Sequence, residues 1–144
     1  MPIVGFFYDK IIADRKKDLL KGDVKVKNNL VLQALNQIDI DIGNKKQEVI
    51  RLSFEFFTEY QPNIGSINLS GHLLFSDSPE NTKSILNMWK KDKKIPEQYA
   101  VQFINAILIR SNIKALELSQ SINLPPHIKL PVVLPKQDIK NYIG

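Results

Sequence analysis

Apolar and polar residues alternate over most of the first half of the chain, which is the pattern of half-buried β-strands. Apolar side chains fall on even positions through residues 24–42 and again through 50–60, and a further alternating segment covers 67–75. The even positions of the first segment, which include Ile38, would share one face of a strand. These segments predict an antiparallel meander over residues 24–75.

The connections between these segments have the composition of turns. Residues 43–46 combine glycine, asparagine and two lysines, and residues 62–65 combine proline, asparagine and glycine. Gly71, in the middle of a predicted strand, indicates a bulge or close packing by a group that lies on the sheet. Residues 1–20 mix phenylalanine, tyrosine and isoleucine with charges, and we interpret them as a strand that joins the sheet at an edge.

The pattern changes to a helical one over residues 78–122. Ser78 is a favourable helix cap and Pro79 is tolerated in a first turn, so a helix is expected to begin there. After a lysine-rich break, apolar residues recur every three or four positions from Pro96 over roughly 26 residues. Such a helix is about 39 Å long and long enough to cross a sheet. Asn123 is expected to end it.

Four of the eight prolines lie in residues 124–135, directly after the long helix. Because proline fixes φ and donates no hydrogen bond, this segment can neither continue the helix nor lie inside a sheet. It is expected to run extended over a surface, where its apolar residues either cover the core or face a partner. Residues 137–143 have the composition of one last helical turn.

Length and composition indicate one domain, spanning residues 1–144, of a protein without membrane insertion. The chain has 144 residues, 43% of them hydrophobic, and its apolar runs are too short to cross a bilayer. The first residues lack the features of a signal peptide, so we expect a cytoplasmic protein. The absence of cysteine excludes disulfides, zinc–thiolate sites and thiol nucleophiles.

Residues typical of catalysis are scarce. The two histidines, His72 and His127, are isolated from each other, and a metal site needs three or four converging ligands. Glycine-rich phosphate loops are absent. We therefore predict no catalytic residues, no metal and no cofactor, and we expect a binding protein and not an enzyme.

The net charge of +5 allows binding to nucleic acid. Trp89, beside one group of lysines, has a ring on which a base can stack. An RNA- or ribosome-associated protein is thus one hypothesis, against which a solvated turn and a buried tryptophan are the simpler interpretations. Its candidate residues form two basic clusters: Arg15, Lys16 and Lys17, and Lys90, Lys91, Lys93 and Lys94.

The order of elements and the segment Leu124–Val133 resemble the SecB family of export chaperones. In that family a crossover with the pattern Phe/Leu-Pro-x-hydrophobic-x-Leu-x-Pro-Val follows a long helix, and the spacing of Leu124, Leu130 and Pro131 is closely similar. The resemblance covers roughly residues 24–135. It implies an α+β fold: an antiparallel meander of about four strands, with the long amphipathic helix and the proline-rich crossover packed on one face.

The resemblance also implies a function, namely ATP-independent holding of unfolded polypeptide or a protein partner in apolar grooves, by dimers that pair into tetramers. The expected partners are thus a polypeptide and a second copy of the chain, with RNA as the alternative. A toxin–antitoxin-linked or virus-derived adaptor is a third possibility. The candidate peptide-binding residues are Phe54, Phe56, Trp89, Phe103, Ile128, Leu130 and Val132.

Three features depart from that family. Its members are acidic and meet their translocase through acidic sheet residues, whereas this chain is basic, so no translocase site is transferred. The second long helix of the family is reduced here to residues 137–143. Because that helix supports the tetramer of the family, a dimer is expected here, with a tetramer as the alternative. The basic N-terminal stretch has no counterpart in the family.

Overall fold

A computed structural model describes residues 3–17, 24–133 and 143 and shows an α+β fold. Four antiparallel strands form one sheet, and two helices follow them in the chain. The elements are β1 (Ile3–Arg15), β2 (Lys25–Ile42), β3 (Lys45–Gln61), β4 (Gly65–Phe75), α1 (Pro79–Asp92) and α2 (Glu97–Ser121). The fold class predicted from the sequence is confirmed.

The strand order in the sheet is β1-β4-β3-β2. Strands β2, β3 and β4 form the predicted meander, joined by a two-residue turn at Gly43–Asn44 and a short turn before Gly65. The first turn is shorter than predicted, because Lys45 already pairs with Ile42. Strand β1 lies beside β4, with Ile3 opposite Phe75, so β1 and β2 occupy the two edges.

One prediction about β2 is wrong. Leu32 lies opposite Phe54, whereas Ala34 lies opposite Ser53, so Gln33 is an extra residue that forms a β-bulge. The bulge inverts the alternation that follows it. Ile38 therefore lies on the opposite face of the sheet from Leu32, although both are even-numbered.

Gly71 is closely packed, as predicted, but the group nearest to it belongs to the neighbouring strand β1 and does not lie on the sheet. A Cβ at this position would meet the backbone carbonyl oxygen of Phe7 on β1 and would lie 3.0 Å from Cζ of Phe54. The pairing of β1 with β4 shifts register between Tyr8 and Lys10, next to this contact. Glycine thus allows the edge strand β1 to approach β4 where β1 is irregular.

Both helices cover the same face of the sheet. Ser78 caps α1 by accepting a hydrogen bond from the backbone N–H of Asn81, with Pro79 in the first turn, as predicted. Helix α2 packs Phe103 against Phe75, with ring centroids 4.7 Å apart, and ends as predicted before Asn123, whose φ is 60°. Among the described residues, no helix is long and apolar enough to cross a bilayer.

Two apolar clusters make up the core between the sheet and the helices. The first lies near the start of α2 and includes Leu52, Phe54 and Phe103. The second lies near its end and includes Phe56 and Ala115. The helical turn predicted for residues 137–143 lies outside the described residues, apart from Ile143, which has no regular secondary structure.

Candidate peptide-binding surface

The segment that follows α2, residues 124–133, is called the crossover segment below. It begins with a reversal at Asn123, whose left-handed backbone ends the helix. The backbone N–H of Leu124 then donates to the carbonyl oxygen of Ser119, 2.8 Å away, and the Leu124 side chain is buried against Gly65 of β4. The chain therefore leaves α2 anchored over β4.

Two hydrogen bonds to the backbone show where the segment goes next. The Tyr60 hydroxyl on β3 donates to the carbonyl oxygen of Pro125 at 2.7 Å. Asn28 Nδ2 on β2 donates to the carbonyl oxygen of His127 at 3.0 Å, and Asn28 Oδ1 accepts from the Thr58 hydroxyl at 2.8 Å. The crossover segment thus passes from β4 over β3 to the edge strand β2.

His127 is the buried anchor of this segment, with 4% of its surface exposed. Its Nε2 lies 2.8 Å from Oδ1 of Asn112 on α2. Its ring packs against the Phe56 ring in a T-shaped arrangement, with the centroids 6.0 Å apart. Burial lowers the pKa of His127, so the imidazole is neutral at pH 7. With Asn112 Oδ1 as acceptor, Nε2 carries the proton.

Tyr60 is the second anchor and is fully buried. Burial raises the pKa of its hydroxyl to about 12, so the group remains a donor to Pro125 throughout the physiological range. The two anchors hold the first half of the crossover segment between the sheet and α2.

The second half of the crossover segment is exposed. Leu130 exposes 44% and Val132 69% of its surface, and the neighbouring Ile128 and Val133 are also exposed. These four residues are called the exposed strip. Of the predicted crossover, Leu134 and Pro135 lie outside the described residues.

Three of the predicted peptide-binding residues lie in the core. Phe54, Phe56 and Phe103 expose at most 1% of their surface. A side chain without accessible area does not contact a peptide while the core is closed, so these three are core residues and not part of the surface. Aromatic residues at alternating strand positions and on an apolar helix face fit this role.

Trp89 lies apart from the exposed strip, near the end of α1. Its ring is partly buried against the first apolar cluster, and the Lys93 ammonium lies 5.5 Å from the ring centroid. This is a cation–π contact. Lys93 also has a left-handed backbone and donates its N–H to the Trp89 carbonyl oxygen, which ends α1.

The two basic clusters lie at opposite edges of the sheet. Arg15 ends β1, where its Nε donates to the carbonyl oxygen of Ile122, and Lys16 Nζ lies 3.4 Å from Oδ1 of Asn63. The other cluster ends α1, which packs against β2, and its lysines Lys90 and Lys91 lie where a helix terminus favours cations. The structure therefore does not bring the two clusters into one surface.

The two histidines are also apart, as the sequence predicted. His72 lies on the open face of the sheet, with Nδ1 2.9 Å from Oδ2 of Asp9. His127 belongs to the crossover segment and contacts Asn112 of α2 on the helix-covered face. Within the described ranges, no group of three histidine or acidic side chains is arranged to hold a metal ion.

Sequence reasoning missed the polar anchors of the crossover segment. Asn28, Thr58 and Tyr60 all occupy even positions, where the alternation otherwise places apolar residues on the helix-covered face. Thr58 and Tyr60 are fully buried and Asn28, opposite Thr58, is exposed at the edge of the sheet. Polar groups at positions of the apolar pattern are a signal, because buried polar groups need partners. The carbonyl oxygens of Pro125 and His127 provide two of those partners.

The chain matches no protein-family model, and no curated protein matches it in sequence. Its structure is similar to that of a SecB-like chaperone of Mycobacterium tuberculosis, solved in complex with a ChAD peptide from an antitoxin. The TM-score is 0.56 at 14% sequence identity, over 92% of this chain and 90% of the other. The sheet, the long helix and the crossover segment described above therefore make up a SecB-like fold.

Proposed function

We propose that this protein binds unfolded or partner polypeptide without ATP and acts as a chaperone-like protein. The observation that carries the proposal is the exposed strip: apolar side chains on a backbone that the buried His127 and Tyr60 hold in place. The similarity to a peptide-bound SecB-like chaperone supports the same conclusion. The proposal is for binding, with no catalytic, metal or cofactor role.

The exposed strip suits a peptide for energetic reasons. Its proline content restricts the backbone, so little conformational entropy is lost when a peptide packs on it. Full burial of an apolar side chain contributes about 1.5–3 kcal/mol, and half-exposed side chains contribute part of that. Leu130 and Val132, together with Ile128, thus provide weak and sequence-tolerant binding, as a holding chaperone requires.

Self-association is part of the proposal. Val101, Ile109 and Ile113 lie one or two helical turns apart on α2 and are all strongly exposed. A second copy packing on this stripe would bury it, giving a homodimer or a tetramer in the cytoplasm. Analytical ultracentrifugation of the wild type and of Ile109→Asp tests whether the chain self-associates through this stripe. A wild-type protein that is monomeric contradicts the proposed self-association.

The decisive test of binding uses Leu130→Asp. Because Leu130 is 44% exposed, this change should alter the free energy of unfolding by only about 1 kcal/mol. It should strongly reduce the suppression of aggregation of an unfolding client, measured by light scattering at stoichiometric ratios. Ile12→Asp is the matched control, since Ile12 is 43% exposed and lies on β1, away from the crossover segment.

Two results contradict the proposal. One is a wild-type protein that does not suppress aggregation. The other is a Leu130→Asp protein that suppresses it as well as the Ile12→Asp control does. A large loss of stability in Leu130→Asp would instead show that the strip closes the core.

A further inference from the structure

A recess of about 470 Å³ lies between the edge strand β2 and the end of α1. Residues 33–37 of β2 line one side, beginning at the bulge residue Gln33, and Trp89, Lys90 and Lys93 line the other. A bulge bends and twists its strand. The recess is thus formed at the irregular part of β2, and no residue of the exposed strip lines it.

The lining of the recess combines an apolar floor with positive charge. Leu35, which is buried, and the partly buried Trp89 provide apolar surface. Lys90 and Lys93 are its charged residues, and none of the described lining residues is acidic. The contact of Lys93 with the Trp89 ring holds one ammonium beside the apolar surface. An apolar group with a carboxylate next to it matches this combination.

Strand β2 offers backbone partners along the same recess. It is an edge of the sheet, and no strand of the described part pairs with its outer side. An extended peptide that adds to such an edge gains main-chain hydrogen bonds, and pockets that receive every second side chain give specificity. Leu35 and Gln37 face the helix-covered side, so a peptide added beside them would direct alternate side chains into the recess.

We infer that this recess binds an extended acidic segment of polypeptide, in which an apolar side chain is flanked by aspartate or glutamate. The peptide adds to the edge of β2, its apolar side chain packs on Trp89, and its carboxylates pair with Lys90 and Lys93. The inference rests on the proposed function and adds to the sequence-tolerant exposed strip a second contact that selects acidic sequences. Polypeptide is favoured over RNA because the strand edge supplies peptide partners, and because the basic cluster of Arg15, Lys16 and Lys17 lies at the other edge of the sheet.

Trp89 makes the inference directly testable, because it is the single tryptophan of the chain. Its emission is measured while the full-length protein is titrated with three peptides of equal length: leucine flanked by glutamate, by glutamine or by lysine. The glutamate peptide should shift the emission and bind about tenfold more tightly than the lysine peptide. This preference should decrease as salt is raised.

Charge reversal supplies the matched controls. Lys90→Glu with Lys93→Glu should invert the preference, whereas Lys27→Glu with Lys83→Glu, an equal charge change at exposed sites outside the recess, should leave it unchanged. If the first double variant does not fold, glutamine at the same two positions should abolish the preference. Equal binding of the three peptides, or no effect of either recess variant, overturns the inference.

Other occupants are distinguished in the same assay. If a single-stranded RNA changes Trp89 emission at a lower concentration than the glutamate peptide does, the inference is overturned in favour of RNA. If the emission changes with protein concentration alone, it is overturned in favour of a second copy of the chain. If aggregation is suppressed but Trp89 does not respond, the recess inference fails alone. If aggregation is not suppressed either, the proposed function fails with it.

Discussion

Replacing Tyr60 by phenylalanine removes one hydroxyl from the fully buried contact between β3 and the crossover segment. The hydroxyl donates to the carbonyl oxygen of Pro125 at 2.7 Å, and phenylalanine keeps the ring in place. A hydrogen bond contributes about 0.5–1.5 kcal/mol net, and a buried acceptor left without a donor costs about 1–3 kcal/mol. We expect Tyr60→Phe to lower the free energy of unfolding by about 1–2 kcal/mol.

The same change should also release the crossover segment locally. A loss of about 1–2 kcal/mol raises the population of the detached segment by a factor of about 5–30. Trypsin cleavage after the exposed Lys129, followed by mass spectrometry under native conditions, measures that population. Cleavage after Lys129 should accelerate by a similar factor in Tyr60→Phe.

Tyr99→Phe is the matched control. Its hydroxyl donates to Asp77 at 3.0 Å and is also nearly buried, but it lies at the start of the helices and does not contact the crossover segment. Urea unfolding should show a loss of similar size, without faster cleavage after Lys129. Equal acceleration in the two variants, or none in Tyr60→Phe, would refute the anchoring role of Tyr60.

Three further predictions concern other contacts. Burial lowers the pKa of His127 in the folded state, whereas the unfolded state keeps the ordinary value of 6.5. Below pH 6.5 the folded state therefore binds fewer protons than the unfolded state. The free energy of unfolding should be constant above that pH and fall below it. His127→Gln should flatten this dependence in denaturation curves taken from about pH 8 to about pH 5, and an unchanged slope would contradict the assignment. Gly71→Ala should destabilise by about 1–3 kcal/mol, since the new methyl meets the Phe7 backbone, and calorimetry that shows no loss would count against that contact. Ser78→Ala should cost about 1 kcal/mol in urea unfolding and Ser78→Gly only a few tenths, because alanine removes the cap of α1 and glycine tolerates the position; equal losses would exclude a capping role.

The pH prediction has a structural basis beyond burial. Nδ1 of His127 is buried and has no hydrogen-bond partner in the described part of the chain, so protonation would add a donor without an acceptor. The side chains that contact the ring are neutral: Phe56 from β3 and Asn112 from α2. Burial is the physical cause of the lowered pKa, with no contribution from a charged neighbour.

Local patterns predicted the elements of this fold because they depend on near neighbours in the chain. The alternation of apolar and polar residues predicted the strands, and Ser78 with Pro79 predicted the start of α1. The bulge at Gln33 was not predictable, since apolar residues occupy even positions both before and after it. Its position is set by pairing with β3, which periodicity does not encode.

The site was predicted less well than the fold, for the same reason. A histidine between prolines gives no sign that it is buried; His127 is buried because Asn112 on α2 and Phe56 on β3 surround it. The sequence around an aromatic residue such as Phe54 shows the same alternation whether the residue lies in a core or in a groove. The presence of an apolar extended segment was predictable, and which half of it is exposed was not.

The position of β1 affects how the chain acquires its structure. Its partner β4 is the last of the strands in the described residues, so Ile3 pairs with Phe75, while β2, β3 and β4 pair with their neighbours in the chain. During synthesis from the N-terminus, β1 leaves the ribosome before β4 does, and it has no strand partner until β4 has been made. With Phe6, Phe7, Ile11 and Ile12 among its residues, the nascent segment is itself the kind of apolar, extended polypeptide that a holding chaperone binds.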